Sequence, residues 1–191
     1  MRLTRLNTFL RWARARGYIA EPPPVEKVKE SRRVPRVPLE EHIRALWARL
    51  RHLSTAHPDP RQRYLYGLHL MMLLFVLGTG VRRARPFHAK WEHVDFARAA
   101  VLLVKSKGGE EWLDLPPLLV AFLRERRARY PHHVWLFDNG RGKLAYSDPH
   151  AISTAFRRHQ AALGFAGLRI KPLHGFRALF STVNERVGGG L

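Results

Sequence analysis

The clearest hydrophobic pattern in the chain lies between residues 39 and 163. Leu39 to Leu53 carries a helix-like apolar stripe (Leu39, Ile43, Leu46, Trp47, Leu50) behind an acidic first turn at Glu40 and Glu41. Tyr64 to Leu77 is apolar nearly all round, which predicts a central buried helix that Gly78 and Gly80 stop. Ala100 to Val104 and Glu111 to Leu115 read as two short strands around Lys107-Gly108-Gly109-Glu110, the pattern of a hairpin. Pro116 to Tyr130 returns to helix, with Leu118, Leu119, Phe122 and Leu123 on its apolar side. Ser147-Asp148-Pro149 offers an N-cap before proline for another helix that runs to about Leu163. A last helix is expected over His174 to Val187. No internal repeat is visible, and the predicted fold is mainly α with a small antiparallel β-hairpin or sheet.

Ahead of this region, Leu3 to Tyr18 places Leu3, Leu6, Phe9, Leu10 and Trp12 at largely helical spacing, and Gly17 closes the turn. Glu21-Pro22-Pro23-Pro24 follows, and then a stretch carrying Lys27, Lys29, Arg32, Arg33 and Arg36 among prolines. Such a segment builds no core and reads as an extended basic linker. One short helix is marginal in water, so residues 1–20 are expected to be the tail of another domain. The predicted organisation is thus a tail helix over 1–20, a basic Pro-rich linker over 21–38, and a main domain over 39–191.

Composition changes this picture mainly through charge. With 46% hydrophobic residues, the 191-residue chain can bury a real core. Lys and Arg total 34 against 15 for Asp and Glu, giving a formal charge of +19 and a pI near 11.5. A compact domain with that excess repels itself unless it meets a polyanion, so nucleic acid is the natural partner. Cysteine is absent, which excludes disulfides, thiolate chemistry and Cys-based zinc sites. The histidines, including His132-His133, lack ligand spacing, so neither a metal nor a cofactor is expected. Met1 to Arg16 alternates Arg with apolar residues, unlike a signal peptide. The apolar run Leu68 to Leu77 is too short for a bilayer, so a cytoplasmic, DNA-associated protein is expected with no membrane partner.

Three short segments carry candidate chemistry. Thr79-Gly80-Val81-Arg82 ends the buried helix and is followed by Lys90-Trp91-Glu92-His93-Val94-Asp95. Val104-Lys105-Ser106-Lys107-Gly108-Gly109 forms the hairpin tip, and Leu173-His174-Gly175-Phe176-Arg177 opens the last helix. In this order they resemble the catalytic domain of the tyrosine recombinases (phage integrases), whose pattern is T-G-x-R, a lysine on a β-hairpin and H-x-x-R. The wording His174-Gly175-Phe176-Arg177, continuing into Ser181-Thr182 and Asn184-Glu185, is most similar to P4-like prophage integrases. The resemblance covers roughly residues 1–187.

The resemblance implies DNA breakage and rejoining on double-stranded DNA, with other recombinase subunits as further candidate partners. Cleaving a phosphodiester develops charge on its non-bridging oxygens, and fixed cationic donors stabilise that charge. Arg82 and Arg177 would be the two guanidinium clamps, suited by a planar fork that stays protonated. His174, three residues before Arg177 on one helix face, would donate a hydrogen bond or assist proton transfer. Lys107 would protonate the leaving 5′ oxygen; Lys105, two positions away on the same side of a strand, is the alternative for that role.

Two departures accompany the match. The family commonly has an acidic residue three positions after the first arginine, where this chain has Arg85, a cation expected to crowd Arg82. The nucleophilic tyrosine is expected downstream of H-x-x-R, yet residues 178–191 contain no Tyr, His or Trp. All five tyrosines (Tyr18, Tyr64, Tyr66, Tyr130, Tyr146) precede the motif. The expectation is a catalytic domain incomplete at its C-terminus: a truncation, a frameshifted remnant or a fragment. Three functions stay open. One is part of an integrase and another is a catalytically dead DNA-binding remnant. The third is a basic RNA-associated or scaffold protein, although the glycine-aromatic signatures of common RNA modules are missing.

Overall fold

The computed structural model describes residues 3–23, 38–104, 109–145, 148–168 and 173–180. The expected linker therefore lies mostly outside the described residues, as do the hairpin tip with Lys105 and Lys107, Tyr146, Ser147 and residues 181–191. The chain divides into two compact units, Met1–Val34 and Pro35–Leu191.

The first unit holds α1 (Leu3–Ala15). Its C-terminal turn closes as the sequence predicts. Gly17 adopts φ +75°, and the Gly17 and Tyr18 amides donate to the Arg14 and Ala13 carbonyls. Phe9 stacks on Trp12, and Trp12 meets Tyr18, all three rings being exposed.

The second unit is built around α2 (Glu40–Ala56) and α3 (Pro60–Thr79). His57-Pro58-Asp59 joins them. The Asp59 carboxylate accepts from the Arg61 amide, and Pro60 occupies the first turn, where its missing N–H costs nothing. Ten consecutive residues of α3, Gly67 to Val76, are buried. The all-round apolar sequence there is explained by neighbours on every side. Leu46 and Leu50 of α2 cover one side, and Val101 and Leu103 of the sheet share the same core. Five fully buried phenylalanines (Phe75, Phe87, Phe137, Phe156, Phe176) dominate this core, each contributing roughly 1.5–3 kcal/mol on burial.

The sheet has three strands rather than a bare hairpin: β1 (Val94–Asp95), β2 (Ala100–Val104) and β3 (Glu110–Asp114), antiparallel in the order β1-β2-β3. The extra strand falls in the Lys90–Asp95 segment, where the Asp95 carboxylate caps a tight turn by accepting from the Ala97 and Arg98 amides. A two-residue strand leaves no alternation to read in the sequence. β3 begins one residue earlier than expected, in register with Val104.

Two further helices follow, α4 (Pro117–Arg129) and α5 (Pro149–Ala162), the latter capped by the Asp148 carboxylate on the His150 amide as the sequence predicts. Helix α6 covers 174–180 within the described residues. Leu173 and Phe176 sink into the core, and Phe176 meets Phe156 of α5 edge-on. The architecture is mainly α with a small antiparallel sheet. No helix among the described residues is long and apolar enough to cross a membrane.

Candidate functional site

Two segments far apart in sequence meet at the end of α3. The helix stops because Gly80 turns left-handed at φ +63°, its amide bonded to the Val76 carbonyl. The Thr79 hydroxyl donates back to the Phe75 carbonyl and accepts from the Val81 amide, fixing the turn that exposes Arg82. Gly80 has a second role. A β-carbon there would overlap the Phe180 ring of α6, so only glycine permits this approach.

Helix α6 is anchored from its own side. Leu173, buried, sits at φ +61°, a left-handed conformation that costs an L-residue roughly 1–2 kcal/mol and is held here by packing. The Arg177 amide donates to the Leu173 carbonyl, giving the first helical turn. With Leu173 and Phe176 in the core, His174 and Arg177 fall on the outer face.

The result is a cavity of about 350 Å³ lined by Val81, Arg82, Arg83, Ala84, Leu173, His174 and Arg177. Three of the four residues singled out in the sequence, Arg82, His174 and Arg177, share this one concavity. The fourth, Lys107, lies outside the described residues. No lining residue is acidic, so three guanidinium groups and an imidazole surround the space, an arrangement suited to a tetrahedral oxyanion.

Arg83 is a lining residue that the sequence motifs do not include. Its Nη2 lies 3.4 Å from the Nδ1 of His150, at the start of α5. Being adjacent to Arg82 in a tight turn, it stays at the same mouth, and the Arg-Arg pair was its only signal in the sequence.

Arg85 does not crowd Arg82 as the sequence suggested. Its guanidinium pairs at 2.7 Å with Glu111 on β3, and Arg85 is not among the residues lining the cavity. The position three after Arg82 thus holds a cation tied to the sheet. Pairing with the Glu111 carboxylate offsets that charge, and the cavity is lined without it.

No known family profile and no curated protein matches the chain. Among solved structures, the fold is that of the tyrosine recombinases. XerA recombinase is 19% identical with a TM-score of 0.62, over 83% of this chain and 54% of that protein. The integrase of mycobacterium phage Brujita is 16% identical with a TM-score of 0.58, over 95% of this chain and 55% of that protein. A lambda integrase tetramer bound to a Holliday junction is 15% identical with a TM-score of 0.66, over 96% of this chain and 52% of that protein. The chain spans about half the length of these recombinases.

Proposed function

We propose that this chain is a DNA-binding part of a site-specific tyrosine recombinase. In this reading it holds a phosphodiester of double-stranded DNA between Arg82 and Arg177. The observation that carries the reading is the shared cavity of Arg82, His174 and Arg177, reached from two segments far apart in sequence, in a fold shared with integrases. Arg82 and Arg177 bind the non-bridging oxygens, and His174 adds a hydrogen bond to the same phosphate. Lys107, which follows β2 in the sequence, delivers the proton to the leaving 5′ oxygen. Arg83 adds positive potential at the mouth. Other recombinase subunits are the expected protein partners, as in the lambda integrase tetramer on its junction.

Residues 1–191 supply charge stabilisers and no tyrosine after Arg177. The chain by itself therefore binds DNA without forming a covalent bond to it, because stabilising charge and supplying a nucleophile are separable functions.

The test is a duplex-DNA titration at several salt concentrations with the parent chain, Arg82→Ala and Arg177→Ala. Removing one arginine–phosphate interaction lowers the log–log salt slope by roughly 1. Affinity that hardly varies with salt, or a slope unchanged in both variants, overturns the proposal.

A further inference from the structure

A second basic cavity, of about 570 Å³, lies among α2, α3 and α4, and none of the residues assigned to DNA lines it. Its size falls in the range of small-molecule sites, roughly 300–1,000 Å³. Four arginines line it (Arg51, Arg63, Arg126, Arg129) against one acid, Glu125, and that acid is already bonded to Arg129 at 2.7 Å.

Arg126 is the unusual member. Only 8% of it is exposed; its Nη2, itself closed off from solvent, has no hydrogen-bond partner among the described residues, while the guanidinium shares a side-chain hydrogen bond with the Tyr64 hydroxyl. The guanidinium lies over two rings, 4.6 Å from the centre of Tyr64 and 5.1 Å from that of Tyr130. Gly67, in the middle of α3, provides its clearance, since a β-carbon there would approach Nη1 to 3.0 Å. The rings are themselves fixed. The Tyr64 hydroxyl donates to the Asp138 carbonyl at 2.8 Å, Tyr130 meets Tyr64 edge-on, and Tyr130 stacks on His133. Burial pushes the Tyr64 hydroxyl up to about 12, so at neutral pH it is a phenol and supplies no counter-charge.

Burying a cation without an anion is costly, and an aliphatic side chain would fill the same place without that cost. A glycine opposite, two fixed rings and an otherwise basic cavity are what an anion-binding site with aromatic walls requires. Trp47 and Phe122 add further aromatic surface to the lining. Arginine forks suit phosphate, and aromatic faces suit a nucleobase.

We propose that this cavity binds a nucleoside monophosphate unit, its phosphate held by Arg126 and the neighbouring arginines and its base against the aromatic wall. The unit is either a free nucleotide or an unpaired nucleotide of a DNA strand. The site is independent of the Arg82–Arg177 cavity and stands whether or not that cavity binds DNA.

The experiment is isothermal titration calorimetry on the full 191-residue chain at fixed ionic strength, with AMP, inorganic phosphate and adenosine as separate titrants. AMP is expected to bind one to one and about tenfold or more tighter than either fragment, because both halves of the site are used. Arg126→Met is expected to weaken AMP about tenfold. The exposed double variant Arg51→Ala/Arg129→Ala, which leaves the core untouched, should do the same if Arg126→Met fails to fold. Arg141→Ala, an exposed arginine elsewhere, should change nothing. A short single-stranded oligonucleotide that competes with AMP identifies the strand as the source, and failure to compete identifies the free nucleotide. Equal binding of AMP and inorganic phosphate, or weakening by Arg141→Ala as large as by Arg51→Ala/Arg129→Ala, reduces the site to general electrostatics and overturns the proposal. Loss of AMP binding in Arg82→Ala/Arg177→Ala alone places the nucleotide in the other cavity; it overturns this proposal and leaves the DNA reading intact.

Discussion

Gly80→Ala is the substitution that most directly tests how the two halves of the Arg82–Arg177 cavity are joined. Two costs add at this position. The φ of +63° is a left-handed conformation that disfavours alanine by roughly 1–2 kcal/mol, offset in part by the lower entropy of the unfolded alanine chain. The new β-carbon also meets the Phe180 ring inside van der Waals contact, and overpacking of that kind costs about 1–3 kcal/mol. Phe180 is only partly buried, so its ring or the whole of α6 can yield, which places the sum near 2–3 kcal/mol. Urea denaturation of the parent, Gly80→Ala, Phe180→Ala and the double variant measures both parts. The steric part vanishes when the ring is gone, so the double variant should be more stable than additivity predicts by about 1 kcal/mol or more. DNA affinity should fall in Gly80→Ala as α6 is pushed from the Arg82 turn, and should recover partly in the double variant. Strict additivity, or a Gly80→Ala chain as stable as the parent, would refute the claim that this contact sets the spacing of the clamps.

Incubation with a nicked suicide substrate, followed by a denaturing gel, is expected to show no DNA-linked band for the 191-residue chain. A band that disappears on Tyr146→Phe would overturn that expectation. His69 and His159 are buried and hydrogen-bonded to each other at 3.0 Å, and burial holds them at about 3 and about 4. Both folded values lie below the unfolded one, so the unfolded chain binds more protons. Stability is fully present above about pH 6.5 and falls as pH drops toward 4, by up to about 1.4 kcal/mol per pH unit for each histidine. Urea midpoints measured from about pH 7 to 5 check this, with a shallower decline expected in His159→Gln; a midpoint flat over that range contradicts it. Arg85→Glu should destabilise the chain by setting two carboxylates together, and adding Glu111→Arg should restore most of the loss. A double variant no better than Arg85→Glu would show that the Arg85–Glu111 pair does not position the turn.

Much of this protein is fixed by local rules that a sequence displays. The buried run of α3, the Asp59 and Asp148 caps, the Gly17 and Gly80 stops and the β2–β3 pairing follow from periodicity and from backbone preferences acting within a few residues. The candidates Arg82, His174 and Arg177 came instead from the resemblance of three short motifs to the tyrosine recombinases, and the fold brings these three residues to one cavity. Each sits at a helix end beside a glycine or a buried side chain, in a recognisable order. What the sequence alone did not determine is long-range. Phe180 fits against Gly80, Arg85 turns to Glu111, Arg83 joins the cavity mouth, and Arg126 lies between two tyrosines opposite Gly67. Each of these depends on which elements pack together, and a side chain's partner on a distant element leaves no periodic trace in the chain. An extra arginine looked like a disturbance because charge was counted along the sequence; in the folded chain a carboxylate on the neighbouring strand takes it up.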